Sequence, residues 1–147
     1  MASSLQYYKF MKYVLIVDDE QSFLKTFAEG VKLCLDDWYV LTAENGKRGA
    51  EIINSVRVDL VVTDLRMPLM DGYELAAYIR GKYPDMPIIA MTADSNYHAE
   101  EKLQAMGIDH CLSKPFRLSE AVSAIGQAVS GALSVYPAST CMNGFFV

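Results

Sequence analysis

The chain has 147 residues, a formal net charge of −5, 52% hydrophobic and 21% charged residues. That balance excludes a disordered polymer and fits one globular domain that buries roughly two-thirds of the surface its unfolded form exposes. No apolar run approaches the ~18 residues needed to cross a bilayer, and the start, MASSLQYYKFMKY, lacks the apolar block of a secretory signal. The expected setting is therefore the cytoplasm, without membrane contact. An acidic chain with no basic stripe is not expected to grip nucleic acid by this domain itself. Cys34, Cys111 and Cys141 show neither a CxxC nor a His-linked spacing and read as free thiols, with no disulfide and no zinc.

Residues 1–11 carry no period and are set apart as an N-terminal extension. The first strand is Tyr13–Val17, apolar and partly β-branched, and it runs directly into Asp18, Asp19 and Glu20. A helix over Gln21–Leu35 places Phe23, Phe27, Val31 and Cys34 or Leu35 on one stripe. Either Asp18 or Asp19 is expected to help start it as an N-cap. Trp38–Ala43 is the second strand, followed by a helix near Lys47–Val56, and Val58–Thr63 is the third strand. Pro68 and Gly72 mark a turn, with Met67 and Met70 as its packing, before a helix over Gly72–Tyr83. Pro87–Met91 and His110–Leu112 are the fourth and fifth strands, separated by a helix near Ser95–Met106. The last helix, Leu118–Leu133, carries Leu118, Val122, Ile125 and Val129 on one face. Residues 134–147 have no period and read as a tail, leaving 12–133 as one α/β unit of five alternating strands and helices.

In an open parallel sheet the residues just past the carboxyl ends of the strands form the binding crevice. Here those residues are Asp18, Asp19, Asp64, Thr92 and, after a short step, Lys114. Carboxylates crowded together repel and raise one another's pKa unless a cation offsets them. An oxygen-only donor set without His or Cys favours Mg²⁺, which keeps several waters and is completed by a phosphate oxygen. The pattern therefore points to phosphoryl chemistry.

The segments LIVDDE, VTDLRMPLMDGYE, IIAMTAD and CLSKPF resemble, in order and spacing, the receiver domain of two-component response regulators, the chemotaxis-regulator-like fold. The resemblance covers about Lys12–Leu133. It implies a doubly wound, flavodoxin-like (βα)5 fold with five parallel strands in the order 2-1-3-4-5. It also implies Asp64 as phosphoacceptor, with Asp19 and Asp64 as metal carboxylates and Asp18 acting largely through metal-bound water. The backbone carbonyl of Arg66 is the implied third protein ligand to Mg²⁺. Thr92 and Lys114 would hold phosphoryl oxygens, and the Lys114–Pro115 peptide would be cis. The implied phosphoryl source is a phosphohistidine on a sensor histidine kinase or phosphotransfer protein. The implied output goes to a downstream protein or an output domain outside this chain, through the face built by the fourth helix with the fifth strand and helix. A dimer is compatible with this reading.

Three positions depart from the family pattern or vary within it. Three residues before Lys114 the family usually carries Tyr or Phe, a ring that moves inward with the Thr, and here the residue is Cys111. A thiol cannot report the switch through the same change in bulk, and a buried, unreactive thiol is the expectation. Arg66 and Asp94 flank the site two residues after Asp64 and Thr92, where they either pair across its mouth, slowing water's attack on an acyl phosphate, or point into solvent. His98 and His110 have no partner at metal spacing, and Tyr73, Tyr78 and Tyr83 are expected to cover surface. Two other functions fit parts of the pattern. A haloacid-dehalogenase-type phosphatase also uses an Asp nucleophile with Mg²⁺, but wants a second Asp two residues on, where this chain has Arg66. A receiver-like interaction module that is never phosphorylated is the other. The chain is thus expected to be a signalling domain and not a turnover enzyme.

Overall fold

The structure, a computed structural model, describes residues 11–93, 97–108 and 110–130. Strands β1 (Lys12–Val17), β2 (Trp38–Ala43), β3 (Leu60–Asp64), β4 (Ile88–Thr92) and β5 (His110–Ser113) alternate with helices α1 (Gln21–Cys34), α2 (Gly46–Ser55), α3 (Gly72–Lys82), α4 (Tyr97–Ala105) and α5 (Leu118–Ser130). All strand pairs are parallel and the order is β2-β1-β3-β4-β5. This is the doubly wound (βα)5 architecture, with the crossover reversing between β1 and β3.

The period of two along each strand divides the core between the two faces of the sheet. Val14 and Ile16 of β1, Val62 of β3 and Met91 of β4 face α1 and α5, where they meet Phe27, Val31, Leu118, Val122 and Ile125. Leu15, Val17, Val61 and Ala90 face the other way, onto Ala50 and Ile53 of α2, Leu75 and Ile79 of α3, and Leu103 of α4. Burying side chains of this kind stabilises by about 1.5–3 kcal/mol each, which is why the central strands read as unbroken apolar runs.

Several boundaries move by a residue or two for local reasons. Strand β3 begins at Leu60, not Val58, because the Asp59 carboxylate accepts the Tyr13 N–H at 2.8 Å while the Asp59 N–H donates to the Tyr13 carbonyl. Side chain and backbone together replace one rung of the ladder, and Val58 still lies buried under the sheet. Helices α2 and α3 start at side-chain caps, Asn45 accepting the Arg48 N–H and Asp71 accepting the Glu74 N–H, both at 2.8 Å. Helix α1 differs: its N-cap is Glu20 and no side chain caps it. The expected cap from Asp18 or Asp19 does not form, because Asp18 Oδ1 bonds the Glu20 N–H at 2.9 Å and its other oxygen is used elsewhere. Helix α5 is described to Ser130, and Ser95, expected to begin α4, lies outside the described residues together with the two flanking segments.

The stripe on α1 is rotated from its expected position. Leu24, Phe27, Ala28 and Val31 are buried, Leu35 just beyond the helix is also buried, and Phe23 and Cys34 are half-buried at the edge of the cluster.

Candidate functional site

Hydrogen bonds that continue past the strand ends fix the carboxyl edge of the sheet. The N–H of Asp18 donates to Ala43 O at 3.1 Å, that of Leu65 to Met91 O at 3.1 Å, and that of Lys114 to Thr92 O at 2.7 Å. Each bond ties a candidate site residue, or its neighbour, to the adjacent strand. Asp64 and Thr92 end β3 and β4, and Asp64 is in register with Met91, one residue before Thr92. The residues expected to converge therefore lie along one edge.

Their side chains form a compact group. Asp18, Asp19 and Asp64 can each place one carboxylate oxygen within 4.8 Å of the others. Asp18 is fully buried, Asp64 half-buried and Asp19 exposed. Lys114 Nζ lies 2.7 Å from Asp18 Oδ2 and 3.6 Å from Asp64 Oδ2, so the ammonium hydrogen-bonds Asp18 and faces Asp64 at longer range. With Oδ1 on the Glu20 N–H, both oxygens of Asp18 are engaged. Burial pushes the Asp64 carboxyl above the ordinary carboxylate range, against a downward pull from the Lys114 ammonium. The Asp18 charge adds to the rise, while backbone N–H groups of Arg66 and Leu65 oppose it. Crowded oxygen donors of this kind suit a hard divalent cation.

The loop after β3 is built to let the backbone approach closely. Gly72 at the start of α3 donates its N–H to Leu65 O at 3.0 Å, and a Cβ there would collide with the Asp64 carbonyl oxygen and lie 2.7 Å from Leu65 Cα. Met67 is buried and Met70 packs against the same cluster, as expected of turn residues. Leu69 is the exception in this loop, with φ of 68° and 80% exposure. The Lys114–Pro115 peptide is cis.

Cys111 corrects an expectation. It is exposed, not buried: it shares a face with its buried register partner Ala90, but β5 is the edge strand of the sheet, where that face is less covered. Its sulfur is nevertheless partly desolvated beside Leu103 and Ile108, and this, with the Glu100 charge adding to it, pushes the thiol upward. Asp94 and the side chain of His98 lie outside the described residues, so the Arg66–Asp94 pair does too. Tyr73, Tyr78 and Tyr83 are half-buried against the face covered by α2, α3 and α4, with Lys102 of α4 over the Tyr73 ring. Tyr78 and Tyr83 join Asn54 and Lys82 in a polar cluster, with Asn54 donating to the Tyr78 hydroxyl at 2.6 Å and accepting from Lys82 Nζ at 2.8 Å.

Phe23, expected on the apolar stripe of α1, does pack at the edge of that cluster, and it has a second neighbour that periodicity does not show. Its ring lies over the Lys114 ammonium, 4.1 Å from centroid to Nζ.

Comparison with known proteins agrees with this fold. Residues 14–126 match the family described as "Response regulator receiver domain". The transcriptional regulatory protein GlrR of Escherichia coli is 36% identical over 117 residues, covering 80% of this chain and 26% of GlrR, so the chain spans about a quarter of that relative. Among solved structures, the chemotaxis protein CheY4 of Vibrio cholerae superposes with a TM-score of 0.73 at 26% identity, covering 80% of this chain and 98% of CheY4. The response regulator TrrA of Thermotoga maritima, solved in complex with Mg²⁺ and a beryllium fluoride, gives 0.71 at 32% identity, covering 80% of this chain and 99% of TrrA. A motif-bearing chain with this sheet order, this acidic edge and these relatives belongs to the response regulator receiver domain family of two-component signalling.

Proposed function

We propose that this receiver domain takes a phosphoryl group onto Asp64 in a Mg²⁺-dependent reaction and uses it to switch a protein-binding face. The observation that carries the reading is the Asp18–Asp19–Asp64 group with the Lys114 ammonium 3.6 Å from Asp64. An Asp64 oxygen attacks phosphorus while the bond from phosphorus to a partner's imidazole nitrogen breaks. The electron pair stays on that nitrogen, which takes up a proton. Nucleophile and phosphoryl group are both anionic, so offsetting their charge in a preorganised site carries the catalysis. Mg²⁺, when bound, supplies most of that positive charge. Asp19, Asp64 and the Arg66 carbonyl would hold it, and Asp18, with both oxygens already hydrogen-bonded, would act through water. Lys114 stays beside Asp64 to meet the incoming phosphoryl oxygens, and the Thr92 hydroxyl takes another.

The acyl phosphate adds about −1.5 to −2 of charge at Asp64. Drawing Thr92 toward it shifts the loop between β4 and α4 and biases the α4–β5–α5 face, where partners would read the change. With Cys111 exposed at that face and no aromatic ring in its place, the signal travels through the Thr92 step alone. The phosphoryl source is a sensor histidine kinase or phosphotransfer protein. The recipient is an output protein or an output domain beyond the receiver unit of 12–133, with 1–11 and 134–147 outside that unit. Among the described residues no helix is long and apolar enough to cross a membrane, in keeping with a cytoplasmic role. The test is intact mass after incubation with Mg²⁺ and phosphoramidate, for the parent and Asp64→Ala side by side. Gain of one phosphoryl group by the parent alone supports the reading. No gain by a parent that binds Mg²⁺ replaces it with an interaction module that is never phosphorylated.

A further inference from the structure

We infer that Phe23 is a positioning residue for Lys114 and, through it, for the phosphoryl group at Asp64. The inference rests on the phosphoacceptor reading above. A lysine ammonium has three N–H donors and a long flexible stem, so its place in a site is set by what surrounds it. Here Asp18 Oδ2 holds one donor at 2.7 Å, Asp64 stands at 3.6 Å, and the Phe23 ring covers another side with its centroid at 4.1 Å. The negative face of an aromatic ring attracts a cation and keeps water from it.

Core packing alone does not account for this ring. Phe27 and Phe116 seal the interior at 0% and 1% exposure, whereas Phe23 is half-buried at the edge of that cluster. It meets Phe116 edge-on, with the planes at 89° and centroids 6.1 Å apart, and Phe27 at 5.6 Å. One flank thus anchors it to the segment that carries Lys114, and a face remains for the ammonium.

The arrangement solves a specific conflict. Asp18 is the hydrogen-bonded carboxylate of Lys114 and also belongs to the group of carboxylates suited to a divalent cation. Whatever draws Asp18 toward that cation loosens its hold on the ammonium. An uncharged ring does not compete for the cation, so it keeps Lys114 in place while Asp18 is shared, on the side from which phosphoryl oxygens approach Asp64. A leucine would fill similar space without a negative face.

The test compares the parent with Phe23→Leu and Phe23→Tyr, of which only the second keeps the face. In the metal-free protein, the ε-methylene protons of Lys114 should be shifted upfield by the ring current in the parent and in Phe23→Tyr, and this shift should vanish in Phe23→Leu. With Mg²⁺ and phosphoramidate, Phe23→Leu should take up phosphoryl groups about 3- to 10-fold more slowly, with Phe23→Tyr restoring the parent rate. Parent-like uptake by Phe23→Leu overturns the inference. Equal slowing of both variants with a matching loss of thermal midpoint also overturns it, leaving a packing residue. A parent that takes up no phosphoryl group overturns the function itself and this inference with it, an outcome read before any variant is compared.

Discussion

Replacing Lys114 with methionine removes the cation that faces two carboxylates while keeping most of the stem's bulk. At separations of 2.7 and 3.6 Å and an effective dielectric of about 20, the two attractions amount to roughly 6 and 5 kcal/mol before desolvation. Desolvating an ammonium and a fully buried carboxylate offsets several kcal/mol of that. The Lys114 side chain is also 19% exposed, which places the net loss near the lower end of the range for breaking a buried pair, about 3 kcal/mol. For a domain of this size that is a fall of about 6–12 °C in thermal midpoint. The deficit depends on pH in a defined direction. Burial and Asp18 already raise the Asp64 carboxyl, and Lys114 is the largest influence pulling it down, so its removal raises Asp64 further. A carboxyl raised in the folded state favours folding while protonated and loses that contribution as pH rises through its folded pKa. The gap between parent and variant should therefore be wide at neutral pH and close below the ordinary carboxylate value of 3.8. Mg²⁺ should narrow it, since a divalent cation replaces the missing charge and binds the folded state preferentially. Thermal melts across pH, with and without Mg²⁺, check this. Equal midpoints at neutral pH, or a gap that widens in acid, would refute the reasoning.

Four other outcomes follow from the same geometry. Asp64→Asn should melt above the parent at neutral pH without metal, by a few degrees or about 1 kcal/mol, because burial disfavours the charge it removes; the advantage should disappear in acid, where Asp64 itself is protonated. Gly72→Ala should lower stability by about 1–3 kcal/mol in chemical denaturation and slow phosphoryl uptake, since the added methyl displaces the Asp64–Leu65 backbone. Leu69→Asn should raise stability by roughly 1 kcal/mol, because Asn tolerates the left-handed backbone that Leu69 occupies at φ of 68°. Arg80 donates to the carbonyls of Met86 at 2.6 Å, Gly107 at 3.0 Å, and Pro84 and Met106 at 3.2 Å. Arg80→Ala strands these acceptors after α3 and after α4, so faster amide exchange in both connections, with a stability loss of about 1.5–3 kcal/mol, is the expected result.

Much of the fold was legible because the central strands are covered on both faces and so spell unbroken apolar runs, as in Leu15–Val17 and Val61–Val62. The site was legible because strand ends fall where those runs meet Asp18, Asp64 and Thr92. What the linear pattern hid was directional. The expected third strand, Val58–Thr63, runs through Asp59, and only the bonds of Asp59 to Tyr13 explain why β3 starts later. The stripe on α1 permits a small rotation that a 3.6-residue period does not resolve, and it leaves Phe23 at the edge of the core cluster with its ring also over Lys114. Cys111 was expected to be a buried, unreactive thiol, whereas its place on the edge strand β5 leaves it exposed. Asp18 or Asp19 was expected as a cap from its position before a helix, but the engagement of Asp18 by Lys114, 96 positions away in sequence, is a tertiary contact that no local rule contains.

The most direct test of the central claim is to treat the protein with Mg²⁺ and phosphoramidate, reduce it with borohydride, and map the peptides by mass. Reduction converts an aspartyl phosphate to homoserine and leaves free carboxylates unchanged. The account predicts homoserine at position 64 and nowhere else. Homoserine at 18 or 19, or none in a protein shown to bind Mg²⁺, would contradict it.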